Sequence, residues 1–176
     1  MHPITTQRGT ILITSLLILL VLTVLGVTAM QMTRMQEHMA GNTRDLALAF
    51  QASEAALRDG ERRLEAYKVE PLKCGDPADI CDTFYERGIG LDAVNASKTW
   101  WAAKAQEYGE ASQQDLTEGV KEDPKFATEE LAHVRNCLVM DADCGRRTIY
   151  QVTARSTGGS GETNTILQTT YAKPPY

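Results

Sequence analysis

The hydrophobic pattern changes period three times along this chain. From Gly9 to Thr33 there is no charged side chain, and the stretch from Ile11 to Leu25 is nearly all aliphatic. A bilayer core about 30 Å thick needs roughly 20 apolar residues in helix, and residues 10–30 meet that length. After Arg34 the apolar residues become periodic. Leu46, Phe50, Leu57, Leu64 and Tyr67 follow spacings of three, four and seven, with the small Ser53 filling one place. That is one face of a helix, expected to pack on the rest of the chain. No proline falls between Pro3 and Pro71. The pattern therefore predicts one helix over 10–67, about 85 Å long at 1.5 Å per residue. Gly41-Asn42 marks either a bend or the point where an exposed half meets a folded one.

Past residue 68 the pattern turns irregular. Pro71, Cys74-Gly75-Asp76-Pro77 and Asp79 read as a turn-rich connector. Residues 99–108, with the adjacent Trp100 and Trp101, read as one short helix. Neighbouring side chains on a helix diverge, so one tryptophan belongs in the core and the other near the surface. Residues 111–124 are polar and acidic and read as a loop. Residues 131–140 carry an apolar period compatible with a strand, 147–156 are the clearest strand, and 163–172 are again rich in β-formers. The last two flank Gly158-Gly159-Ser160-Gly161, which reads as a hairpin turn. Lys173-Pro174-Pro175-Tyr176 is expected to be a tail. The fold class expected is α+β: a long N-terminal helix, transmembrane then amphipathic, packed on a small C-terminal antiparallel sheet. The divisions are 1–9 leader, 10–67 helix, 68–130 variable connecting region and 131–176 sheet.

Charge and cysteines add the compartment. The net charge of -5 disfavours nucleic acid as a partner. The four cysteines, Cys74, Cys81, Cys137 and Cys144, form two pairs with the same C-x6-C spacing. An even count beside a membrane-crossing segment points to disulfides in an oxidising compartment. Four cysteines allow three connectivities, of which the local pairs 74–81 and 137–144 are the expectation. The spacing is wide for zinc knuckles, and Asp76, Asp79 and Asp82 do not follow an EF-hand loop. No metal and no cofactor is expected.

Catalytic signatures are missing from the sequence. His2, His38 and His133 have no nucleophile motif around them, and there is no G-x-S-x-G, H-E-x-x-H or phosphate loop. The glycine loop lies between strands and lacks the P-loop lysine. An enzyme is not expected. Processing stays open between a cut before the apolar run, after Gly9, and a signal-peptidase cut after Ala29.

A glycine-ending leader, an apolar helix continuing as an amphipathic one, and a C-terminal sheet together resemble the type IV pilin class. Met39-Ala40-Gly41-Asn42, followed by Ala49-Phe50-Gln51-Ala52, resembles the N-terminal region of PilX-type minor pilins of the pilus assembly machinery. The C-terminal half is similar in outline, through Tyr150-Gln151-Val152-Thr153-Ala154-Arg155 and the glycine loop. The resemblance implies cleavage between Gly9 and Thr10 by a prepilin peptidase and methylation of Thr10. It also implies assembly with other minor pilins and the major pilin through the apolar helix, including Thr14, Leu16, Leu20 and Leu25. The location implied is the inner membrane with a periplasmic C-terminal domain, then the pilus. Major pilins usually carry glutamate where Thr14 stands. That absence is shared with the tip pseudopilin of type II secretion systems, which remains the alternative, beside an anchored periplasmic adhesion module.

Overall fold

The computed structural model describes residues 10–109, 119–135 and 146–174. A single helix, α1 (Thr10–Ala66), is followed by strands β1 (Lys73–Cys74) and β2 (Phe84–Tyr85) and a short helix α2 (Lys98–Lys104). Strands β3 (Gln106–Glu107), β4 (Lys125–Arg135), β5 (Arg146–Thr157) and β6 (Asn164–Lys173) complete the chain. The fold is α+β. Two compact units divide at Thr43/Arg44, just past Gly41-Asn42, while the helix itself continues through both.

In the unit from Arg44 onward, six strands form one sheet. The order is β1-β2-β4-β5-β6, with β3 paired to β4. The β4–β5–β6 meander is antiparallel and its β5–β6 turn is the glycine loop, as expected. The β1–β2 and β2–β4 pairs are parallel, so the sheet is mixed. The chain between β2 and β4 carries α2, the long crossover that a parallel neighbour requires.

Alternation along the short strands builds two cores. Phe84 faces α1, in a cluster with Ala56, Leu57, Leu64, Phe126, Tyr150, Val152 and Ala154. Its neighbour Tyr85 points to the opposite face, with Cys81, Ala93, Trp101 and Ala127. Period-two geometry thus lets a two-residue strand seal both sides of the sheet. Phe84 and Tyr150 meet edge to face at 4.8 Å.

The buried face of α1 differs from the expected stripe. Ser53, Leu57 and Leu64 are buried as expected and Tyr67 is half-buried, but Leu46 and Phe50 are 55% and 49% exposed. The packed surface is Ala49, Ala52, Ser53, Ala56, Leu57, Asp59, Gly60 and Leu64. Small residues win because the helix lies close to the sheet. A Cβ on Gly60 would stand 2.7 Å from Val152 Cγ1 and 3.0 Å from Phe126 Cδ2.

Two further boundaries move. Helix α2 starts near the expected place, where Ser97 Oγ accepts from Trp100 N at 3.2 Å, a standard N-cap. It stops at Lys104, because Gln106 and Glu107 pair with Phe126 and Lys125. Trp101 is buried and Trp100 half-buried, in contact at 5.4 Å, which matches the expected division between them. Strand β4 begins at Lys125, inside the region expected to be connecting. Residues 136–140 of the expected strand, and most of the expected loop over 111–124, lie outside the described residues.

Candidate functional site

Two surfaces carry the candidate functional residues. The first is the helical unit that ends at Thr43. Ile11 to Val27 presents every large aliphatic side chain to the outside, and Leu16, Leu20 and Leu25 are among them. The helix is long and apolar enough to cross a membrane. Its hydroxyls suit an apolar surrounding because the backbone satisfies them internally. Thr14 Oγ1 donates to the carbonyls of Thr10 and Ile11 at 3.1 and 3.0 Å. Ser15, Thr23 and Thr28 donate to carbonyls three residues back. None of these four hydroxyls would be stripped of water without a partner. Thr14 therefore presents a neutral, self-satisfied surface where a carboxylate would demand a partner charge. Thr10 is the first residue of α1, while Gly9 and the cleavage junction lie outside the described residues.

The second surface is the loop closed by Cys74 and Cys81, which form a disulfide. The expected partner pair, Cys137 and Cys144, lies outside the described residues. Tyr85 Oη donates to Asp79 O at 3.1 Å, and Trp100 Nε1 donates to Pro77 O at 3.0 Å. Asp76 Oδ1 accepts from Ala78 N at 2.7 Å, and Gln106 Nε2 donates to the Cys81 carbonyl at 3.0 Å. The loop is thus fixed from below by aromatic and amide donors while Ile80, Ala78 and the carboxylates of Asp76 and Asp79 stay exposed.

The sequence did not reveal how α1 is fastened to the sheet. Polar contacts near Asp45, at Ser53 and at the end of the helix do so. Asp45 Oδ1 accepts from Ser160 N at 2.9 Å, and Oδ2 accepts from Ser160 Oγ at 2.7 Å and from Thr163 Oγ1. These bonds hold the Asp45 carboxyl down at about 2, the Thr163 hydroxyl having the largest effect and Ser160 the next. The glycine loop is shaped to receive it, since a Cβ on Gly158 would lie 2.5 Å from the carboxylate. Midway, Ser53 Oγ donates to Thr165 O at 3.0 Å. At the far end the buried Lys173 donates through Nζ to the carbonyls of Leu64 and Tyr67, the latter at 2.6 Å. These are unpaired carbonyls at the helix C-terminus, where a cation is favoured. Lys173 is therefore part of β6 and of the helix cap, and not of a tail. Burial pulls its pKa down.

His133 is not isolated. Its Nε2 lies 2.8 Å from Glu130 Oε1 and its Nδ1 3.1 Å from Thr148 Oγ1. Glu130 is buried and also meets Lys73 Nζ at 2.7 Å. Bonds from Glu130 and Glu70 raise the Lys73 pKa. The cluster neutralises a buried carboxylate between β1, β4 and β5, which is why an acidic stretch can run as a central strand.

A model of the PilX N-terminal region matches residues 8–58, and a model of the type IV pilus assembly protein PilX C-terminal region matches residues 51–173. The chain belongs to the PilX family. The two matches overlap on the part of α1 that carries Ser53 and Leu57, so the family covers both the apolar helix and the sheet that follows it. No curated protein and no solved structure gives a match. As a PilX-family member the chain is a type IV pilus assembly pilin, from a structural class of proteins, with one N-terminal helix able to span a membrane.

Proposed function

We propose that this PilX-family chain is a non-enzymatic minor pilin that primes pilus assembly in a complex with other minor pilins at the pilus tip. Prepilin peptidase cuts between Gly9 and Thr10, and the new Thr10 amine is methylated. The subunit waits in the inner membrane with residues 68–176 in the periplasm, and the helix over 10–67 then packs into the pilus beside the major pilin. The observation that carries this reading is Thr14. Its hydroxyl is bonded within its own helix, so the subunit offers no buried carboxylate to the amine of a neighbour. A subunit at the end of a fibre needs no such pair. Leu16, Leu20 and Leu25, exposed on α1, supply the packing surface. Intact mass and N-terminal sequencing of the mature protein test the first step. A start at Thr10 carrying one added methyl is expected, and a start at Met30 would refute the reading. Deletion of the protein is expected to abolish or sharply reduce surface pili, and unchanged piliation would refute the priming role.

A further inference from the structure

Four of the protein's six methionines, Met30, Met32, Met35 and Met39, stand within one short stretch of α1, and His38 stands among them. The four are 61–69% exposed, and His38 is exposed as well. Apolar packing alone does not call for this residue type. From Ile11 to Ala29 the helix uses leucine, isoleucine and valine and no methionine, whereas from Met30 to Asp45 every large apolar side chain is methionine. Leucine fills a similar volume, and what methionine adds is a soft thioether sulfur. Helical geometry sorts the set. At about 100° per residue, Met39 and Met32 lie about 40° and 60° to one side of Met35, and His38 lies about 60° to the other. Residues three and four apart have Cβ atoms about 5–6 Å from each other, and helical Cβ atoms lean toward the N-terminus. His38 and Met39 therefore lie over the turn that carries Met35. Met30 falls about 140° away, off this face.

We propose that Met35, His38 and Met39 form a binding site for a soft monovalent metal ion, copper(I), with Met32 on the same face as a further sulfur ligand. Thioether sulfur selects copper(I), and imidazole nitrogen suits copper as well, whereas hard cations prefer oxygen. The cysteine and aspartate spacings, which argue against zinc and calcium, do not bear on this set, because neither ion favours a thioether. A thioether carries no proton, so its sulfur binds metal without the deprotonation that a thiol requires. Helix α1 is continuous through this stretch, so the three ligands share a face before the ion arrives and only their side chains have to be ordered. Arg34 and Glu37 are exposed beside the set, and charges of this kind are costly in lipid, so this turn meets water, from which an ion can reach it. Water and salt also screen the Arg34 charge from a monovalent ion.

Two anaerobic measurements on the full chain in detergent, with any thiols blocked by N-ethylmaleimide, test this. In the first, copper(I) is partitioned between the protein and a chromophoric copper(I) chelator. One ion per chain is expected. The affinity is expected to fall about tenfold or more in Met35→Leu/Met39→Leu and in His38→Gln, and to stay unchanged in Met30→Leu. All of these side chains are exposed, so the melting temperatures of the variants are expected to match the wild type. Failure to take copper from the chelator, unchanged affinity in Met35→Leu/Met39→Leu or in His38→Gln, or an equal loss in Met30→Leu overturns the site. The second follows isotope-labelled methionine methyl groups by NMR as copper(I) is added. The Met35 and Met39 resonances are expected to move while that of Met30 stays in place. No movement, or equal movement of all three, overturns the ligand set. Zinc(II) at the same concentration is expected to leave the resonances in place, and the same shifts with zinc(II) would overturn the choice of a soft ion. Both measurements read the isolated subunit, so they stand or fall apart from the proposed role in pilus assembly.

Discussion

Replacing Gly60 with alanine separates two opposing effects of one methyl group. In an exposed helix the change gains about 1 kcal/mol, because glycine loses more backbone entropy on folding. At Gly60 the new Cβ would lie 2.7 Å from Val152 Cγ1 and 3.0 Å from Phe126 Cδ2. Both neighbours are fully buried, and a valine has little rotamer freedom with which to yield. Overpacking of this kind costs typically about 1–3 kcal/mol. The clash outweighs the propensity gain, leaving a net loss of about 1 kcal/mol and a fall in melting temperature of roughly 2–6 °C. A Cβ added at Gly41 would meet nothing within 4 Å, so Gly41→Ala is the control and should not destabilise. Thermal unfolding of the detergent-solubilised chain, followed by circular dichroism, reads both. Val152→Ala removes the colliding methyl, so the Gly60→Ala/Val152→Ala double variant should lose less than the sum of the single losses. A stabilised Gly60→Ala, or strict additivity with Val152→Ala, would refute close helix–sheet packing as the reason for glycine at this position.

Asp45 ionises at about 2 in the fold, below its usual 3.8. A depressed carboxyl contributes stability that is complete above about pH 4 and is lost as pH falls through about 2. Asp45→Asn should therefore melt below the wild type at neutral pH, with the gap closing across that window; a gap independent of pH would rule out the charged clamp. The Cys74–Cys81 bridge has a sequence separation of 7. Closing so small a loop stabilises by about 2–3 kcal/mol on the chain-entropy account, so Cys74→Ser/Cys81→Ser should lower chemical-denaturation stability by that order. No change in the denaturation midpoint would show that the aromatic hydrogen bonds hold the loop unaided.

Much of this architecture is legible in the residues alone. The uncharged run from Gly9 to Thr33 specifies a helix suited to an apolar surrounding, because length and composition are local properties. The absence of proline carries α1 to Ala66, and β-branched residues on either side of a glycine turn specify the β5–β6 hairpin. The Cys74–Cys81 bridge was one of the pairings that spacing left open, and the fold brings these two cysteines together. Other features depended on partners distant in sequence. Lys125 to Glu130 reads as polar connector until Lys73 and His133 are seen to meet Glu130. Leu46 and Phe50 mark the packed face by period, yet proximity to Val152 and Phe126 gave that face to alanine, serine and glycine. Nothing near Asp45 in sequence indicates Ser160 and Thr163, and nothing near Lys173 indicates the end of α1. Hydrophobic period and chain stiffness are written residue by residue, so the helix, the hairpin and the membrane-length segment follow from local order. Which face is buried, which charge is neutralised and which strand is left at the edge depend on what folding brings alongside from far along the chain, and these emerge only once the sheet has closed on α1.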